Sequence, residues 1–330
     1  MKAVAHQGKQ GFDGLAVVDM EEPTPSAGEV KIRLKAAGLN HRDLFIPFRH
    51  RADEPALILG SDGAGIVEEI GGGVTNVNVG DEVIINPSLG WREKSDAPPK
   101  GFEIVGHPDH GTFAEAIVVP AENAVPKPKH LSWEEAGVLP LAALTAYRAL
   151  FTRGKLKAGQ HLLLPGIGSG VATFLLQMAK AAGARVTVTS RSEEKRNRAL
   201  ELGADCAIDS NGDWKEQMDG EKADLVIDSV GAATFDKSLR QTRLGGTIVV
   251  FGASAGEDIQ LNLRKFFFGQ YNLLGTTMGS SEEFQEMLAF IDSHKIKPVV
   301  DKMFSLDDGL DAFRRLENGE QFGKVGLLIG

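Results

Sequence analysis

The chain has 330 residues, with 36 Lys and Arg against 45 Asp and Glu and a formal charge of −9. Its 42% hydrophobic and 25% charged residues are those of a globular protein with a buried core, which excludes a disordered tail, a collagen-like fibre and a coiled coil. The acidic balance argues against nucleic acid or anionic membrane as partners, and no apolar run approaches the roughly 20 residues of a membrane helix.

Residues 1–124 read as short β segments divided by turns. Residues 30–34 alternate, with Val30, Ile32 and Leu34 on one face. Residues 64–70, 82–85 and 112–119 are further strands, the last stopped by Pro120. Gly60, Gly63, Gly65, Gly71, Gly72, Gly73 and Gly80 punctuate this stretch, and irregular spacing without long helices predicts a compact β-barrel. The pattern changes near Lys127. Pro126 and Pro128 precede Ser132-Trp133-Glu134-Glu135, a helix N-cap with early acidic residues. From Gly159 onward strands and helices alternate. Strands are expected at 161–164, 185–189, 206–208, 225–228, 247–251 and 272–275, with helices at 170–182 and 193–202. These strands are apolar on both faces, as in a parallel sheet covered by helices, and six βα steps indicate a doubly wound α/β sheet. From Glu282 a helix, a turn at Asp307-Asp308, a second helix and a strand at 324–329 complete the chain.

The strand at 161–164 runs into Pro165-Gly166-Ile167-Gly168-Ser169-Gly170-Val171-Ala172 and then a helix. Glycine lets the backbone approach a pyrophosphate closely, and the helix start offers free N–H groups and a positive dipole end. The G-x-G spacing holds at Gly166 and Gly168, Val171 takes the third slot, and Ala172 takes the packing role of the last glycine. At the end of the next strand an NAD site would place an acidic residue against the ribose 2′-hydroxyl. Here stand Ser190 and Arg191, with Lys195 a helical turn on. A hydroxyl and two cations suit a 2′-phosphate, so NADP(H) is the expected cofactor. The bland alternative is a solvated helix start in which Glu193 and Glu194 pair with Arg191 and Lys195.

Taken together, Gly38-Leu39-Asn40-His41-Arg42-Asp43, the segment from Leu59 to Val67, Val79-Gly80-Asp81-Glu82-Val83, Gly111-Thr112-Phe113-Ala114-Glu115, the glycine loop, Leu202-Gly203-Ala204-Asp205 and Asp228-Ser229-Val230-Gly231 identify a resemblance to the medium-chain dehydrogenase/reductase superfamily over essentially the whole length. The resemblance implies a GroES-like catalytic β-barrel domain at residues 1–124, completed by 278–330, around a Rossmann NADP-binding domain at 125–277. The zinc alcohol dehydrogenases of that superfamily carry a Cys at the Asn40 position, a His and a Glu at Ser61 and Asp62, and a further ligand near Leu141. Their cysteine-rich lobe corresponds to residues 87–106, which hold no cysteine. Asn40, Ser61 and Leu141 are poor zinc ligands, so the expectation is a chain without zinc and without an assigned metal ligand. His107-Pro108-Asp109-His110 has a spacing that can serve ligation but reads as a polar turn. The resemblance then narrows to the quinone oxidoreductase-like branch, where an Asn is likewise followed three residues on by Asp, here Asp43, and which typically binds NADPH.

The expected activity is hydride transfer from NADPH to a quinone, enone or activated carbonyl. It needs a donor for the developing negative charge. Asn40 and Arg42 are the candidates; a loop cap and a surface ion pair with Asp43 are their structural alternatives. The family lines the nicotinamide and ribose with residues at the positions of Thr145, Ser229, Val230, Phe251 and Gly252, and Lys324 is expected to help close over the phosphates. Enoyl-thioester reductases of the superfamily place a Tyr soon after the Asn-x-x-Asp segment, and this chain has only Tyr147 and Tyr271. Phe266-Phe267-Phe268 would serve as a lid, as core or as a dimer contact. A small-molecule substrate, a homodimer and a cytoplasmic location complete the expectation, since the N-terminal residues lack a signal-peptide pattern and the single cysteine, Cys206, cannot form an internal disulfide. An alcohol dehydrogenase-like enzyme and a nucleotide-binding sensor or structural protein are the rival readings.

Overall fold

The structure, a computed structural model, describes all 330 residues. The chain divides into two compact units, Met1–Ala142 with Gly279–Gly330, and Ala143–Met278. No helix is long and apolar enough to cross a membrane.

The first unit is built on the long strand Glu29–Gly38, whose alternation buries Val30, Ile32 and Leu34 as the sequence predicts. The sheet runs in the order Ala124–Pro126, Glu82–Ile85, Asp62–Ile70, Glu29–Gly38, Lys324–Leu328, Val300–Ser305, and Ala116–Pro120 adds to Glu29–Gly38. The core of this unit includes Ile32, Leu34, Phe113, Phe313 and Leu327. A smaller sheet of Lys2–His6, Leu15–Asp19 and Leu57–Ile58 lies beside it. The last strand of the chain therefore returns to the first unit, pairing antiparallel with Glu29–Gly38 and parallel with Val300–Ser305.

Two features differ from expectation. The boundary between the units falls after Ala142 rather than after residue 124, because Ala124–Pro126 pairs with Glu82–Ile85 and the helix Trp133–Gly137 lies against Glu29–Gly38. Strand Val300–Ser305 has no signature in the sequence. Asp301 and Lys302 break its apolar pattern, and Asp301 is there to receive Arg315 at 2.6 Å.

The second unit carries six parallel strands in the order Cys206–Asp209, Arg185–Ser190, His161–Leu164, Ala223–Asp228, Thr242–Val250, Asn272–Gly275. In chain order this is 3-2-1-4-5-6, the doubly wound order, with the switch point between His161–Leu164 and Ala223–Asp228. Helix Gly170–Ala181 buries Phe174, Leu175, Leu176 and Met178, and Leu163, Val226, Ile248 and Phe235 pack in a core on the sheet.

Register brings one end of the first unit's sheet to a point. Gly38, at the end of its strand, pairs with Asp62 on one side and Gly326 on the other. Asn40 lies two residues past Gly38, and Lys324 two before Gly326. The helix seals this corner at backbone distance: a Cβ on Gly38 would stand 2.7 Å from Val138 Cα. Gly38→Ala should therefore lower stability by about 1–3 kcal/mol through overpacking. Denaturant unfolding of the variant checks this, and an unchanged midpoint would contradict so close an approach.

Candidate functional site

At that corner lies a buried knot of charge. Asp62 and Asp43 are fully buried, Lys324 is 3% exposed and Asn40 6%. Lys324 Nζ donates to Asp62 Oδ2 at 3.0 Å, to Asn40 Oδ1 at 2.7 Å and to the Leu39 carbonyl at 2.8 Å. Asn40 Nδ2 donates to the same Asp62 Oδ2 at 2.9 Å, and the Leu141 backbone N–H donates to Asp62 Oδ1 at 2.7 Å. Burial pushes the Asp62 carboxyl upward, opposed chiefly by the Lys324 charge. Asp43 accepts the Asn40 backbone N–H on Oδ2 at 2.7 Å, while its Oδ1 has no partner. Burial pushes Asp43 up to about 6 against the pull of Arg42. Arg42 does not pair with its neighbour Asp43. Its Nη1 donates to Ser61 Oγ and to the Val105 carbonyl at 3.1 Å. Ser61 in turn donates to that carbonyl at 2.6 Å. Asn40 and Arg42 thus both lean on the adjacent residues Ser61 and Asp62, and each keeps N–H groups in reserve.

In the second unit the glycine loop crosses the switch point. Gly166 has φ +74° and Gly168 φ +132°, which favour glycine. A Cβ on Gly166 would also stand 2.6 Å from Val230 Cγ2. The Gly166 N–H donates to Thr189 Oγ1 at 3.3 Å, and Ser169 caps the helix by accepting from Ala172 N–H at 3.2 Å. The amides of Gly170 and Val171 begin that helix, where backbone donors lack intrahelical acceptors. Across the switch point the fully buried Asp228 carboxylate accepts from Val230 and Gly231 N–H at 2.8 and 3.1 Å and from Thr234 and Ser238 hydroxyls at 2.8 and 2.7 Å. The Ala255 N–H donates to the Val230 carbonyl at 2.7 Å and the Ser254 N–H to Ser229 at 3.2 Å. The Phe251 N–H donates to the Asp228 carbonyl at 3.3 Å and a Cβ on Gly252 would stand 3.0 Å from the Ser229 carbonyl oxygen, so Phe251 and Gly252 lie against the Asp228–Val230 turn beside Gly166. Thr145 is buried in the helix Pro140–Tyr147.

The second strand ends on Ser190, which is 7% exposed and whose Oγ accepts from the Ser192 N–H at 3.1 Å. Arg191 is exposed and Lys195 half-buried on the following helix. Arg196, which sequence reasoning passed over, donates to the Ser190 carbonyl at 2.8 Å. It adds a third cation one helical turn from the strand end, at a spacing the sequence could have shown. Asp62, Asp43 and Asp228 were also passed over as working residues. Each follows or precedes a glycine-rich or polar segment, and only the fold reveals that all three are buried. Lys324 departs most from expectation: its ammonium is spent inside the first unit rather than extended toward phosphates.

The model of the alcohol dehydrogenase GroES-like domain matches residues 26–129, and that of the zinc-binding dehydrogenases matches residues 170–293. A zinc-type alcohol dehydrogenase-like protein of Schizosaccharomyces pombe is 36% identical, the match covering 100% of this chain and 99% of that one. A crotonyl-CoA reductase of Streptomyces avermitilis is 31% identical over 94% of this chain and 81% of its own. Among solved structures, an NAD-dependent alcohol dehydrogenase superposes with a TM-score of 0.93 at 38% identity, covering 100% of both chains.

Relatives described by zinc raise the question of whether these residues suit a metal. The donors at the corner are an amide, a hydroxyl and two carboxylates, with an ammonium already bonded to the amide oxygen and to one of the carboxylates. A divalent ion would have to displace that cation and accept ligands of low affinity, so the set does not fit zinc. No group of three or more His, Cys, Asp or Glu is placed to hold a metal, and His110 Nδ1 accepts the Ile58 N–H at 3.2 Å.

The buried Asp43 makes the knot sensitive to pH. Its folded pKa of about 6 lies above the ordinary carboxylate value. The stability of its neutral form is fully present at low pH and is lost as pH rises through about 6. Relative to Asp43→Asn, the native chain should lose roughly 2–3 kcal/mol of stability between about pH 4 and 7.5. Urea unfolding of both proteins at the two pH values measures this; a pH-independent difference would show that Asp43 is not held neutral.

Proposed function

The chain belongs to the medium-chain dehydrogenase/reductase superfamily and is an oxidoreductase of that fold, and we propose that it transfers hydride from NADPH to a quinone, enone or activated carbonyl without zinc. The observation that carries the cofactor choice is the end of strand Arg185–Ser190. It closes on Ser190 and the exposed Arg191, with Lys195 and Arg196 on the next turn and no carboxylate in the ribose position. A 2′-phosphate is recognised by such a set, and a bare 2′-hydroxyl by an acid. Gly166, Gly168, Ser169, Gly170 and Val171 would hold the pyrophosphate on the helix N-terminus, where the missing Cβ of Gly166 leaves room. Thr145, Ser229, Val230, Phe251 and Gly252 would border the nicotinamide ribose. Bound there, the nicotinamide supplies the hydride.

The chain's own residues then have to hold the acceptor and meet its developing negative charge. Asn40 offers an amide N–H from a fixed side chain, and Arg42 offers the guanidinium donors not used on Ser61 and Val105. Relatives named as crotonyl-CoA reductases place an unsaturated thioester among the acceptors to be tried. Tyr147 and Tyr271 both lie in the second unit, in chain segments other than the one that carries the proton-donating Tyr in enoyl-thioester reductases. We also propose a homodimer: strand Asn272–Gly275 is an exposed sheet edge beside the exposed Phe267 and Phe268.

Reversing the charge at Arg191 should tell the cofactors apart. Arg191→Glu is expected to raise the NADPH Kd about 10- to 100-fold while leaving NADH within about threefold. Equal losses for both cofactors, read by fluorescence titration, would remove the 2′-phosphate assignment. A panel of quinones, enones, enoyl thioesters and aldehydes with NADPH in excess tests the reaction itself. Tight NADPH binding with no turnover on any acceptor would leave a nucleotide-binding module in place of an enzyme.

A further inference from the structure

Lys324 sits 3% exposed with its ammonium on three oxygen atoms, those of Leu39, Asn40 and Asp62. An ammonium has three N–H donors and no acceptor, so none is left for a ligand. The same contacts settle which way the Asn40 carboxamide faces. Nζ can only donate, so the atom before it at 2.7 Å must be the oxygen. Asp62 Oδ2 can only accept from it when ionised, so the atom at 2.9 Å must be the nitrogen. Turning the amide over would set ammonium against N–H and carboxylate against carbonyl at once. The oxygen of Asn40 is thus spent, one of its two amide protons is spent, and the other has no partner within the unit.

We propose that Lys324 is a positioning residue, whose ammonium, braced on Asp62, holds the Asn40 amide with one N–H reserved for the acceptor oxygen. This rests on the hydride-transfer reading, and it replaces the expectation that Lys324 grips the cofactor phosphates. Lys324 acts through Asn40 and does not touch the acceptor. Its removal should therefore slow turnover while sparing cofactor affinity. Asp62 is shared by both partners, which makes Asn40, Asp62 and Lys324 one unit in which the loss of any member removes two of the three bonds that join them.

The test compares the full chain with Lys324→Met and with the double variant Asp62→Asn/Lys324→Met. The double variant removes the Asp62 carboxylate that the single variant would strand, so the fold stays testable if the single variant fails to fold. Three quantities are read: NADPH Kd by fluorescence, kcat with the best acceptor, and deuterium exchange of the Asn40 side-chain amide protons, identified as the resonances absent from Asn40→Ala. The proposal expects Kd within about twofold of the native chain, kcat lower by about tenfold or more, and amide exchange faster by about tenfold. It is overturned if kcat and exchange both stay at native values, or if Kd rises about tenfold with kcat kept, which would return Lys324 to the cofactor. If the native chain reduces no acceptor, the hydride-transfer reading fails on its own. Amide exchange then still decides the point about Lys324: faster exchange supports the brace and unchanged exchange removes it.

Discussion

The ion pair between Lys324 and Asp62 is the interaction on which the rest of the first unit depends. It joins residues 262 apart in sequence, with both side chains almost wholly withdrawn from water. Removing one member of a buried pair typically costs about 3–5 kcal/mol, because the other charge is left stranded. The return of the last strand to Glu29–Gly38 is therefore more than the addition of a strand. It delivers a cation that Asp62 requires, and Gly38 between Asp62 and Gly326 fixes the register that makes the meeting possible. Asn40 then has no free choice of rotamer, since both ends of its amide are claimed.

Zinc enzymes of the same fold show how this arrangement differs in kind. There a metal gathers thiolate, imidazole and carboxylate ligands and polarises the substrate directly. On the proposed reading the cation belongs to the chain, its donors are saturated, and its influence reaches the acceptor only through a neutral amide. An amide N–H in a dry corner is a weaker electrophile than a metal ion, which suits acceptors that are already electron-poor. Quinones, enones and activated carbonyls have that property, which is why they are the acceptors proposed. The second unit follows a more general plan. Its strand order puts the glycine loop and the Asp228 turn on either side of the switch point, and in the proposed function the choice between nicotinamide cofactors is left to a few residues at the end of one strand.

Local structure was legible in the sequence wherever one segment forms the feature alone. The glycine loop needs only a strand, three glycines and a helix start, and the strands at 161–164 and 272–275 and the helix beginning at Gly170 fall where periodicity puts them. Ser190 was legible as the end of the strand after the loop, at an interval the sequence itself gives, and the ribose role of Ser190 and Arg191 is part of the proposal. What could not be read was assembled from distant segments. Asp62 looks like a substituted ligand position until Lys324 arrives beside it. Lys324, one residue after a glycine near the chain's end, looks like a solvent-facing phosphate clamp, because sequence carries no measure of burial for a charged residue whose partner is far away. Asp301 hid a strand for the same reason: its charge reads as exposure, while in the fold it is paired with Arg315.

The central claim is that this chain carries out hydride transfer with its own polar groups at the place where related enzymes rely on a metal. The direct measurement is the initial rate of NADPH oxidation with the best acceptor, before and after exhaustive dialysis against a chelator, with the metal content of the protein determined in parallel. An unchanged rate in protein holding far less than one metal atom per chain is the predicted result. A rate that is lost on dialysis and restored by adding back zinc would contradict it.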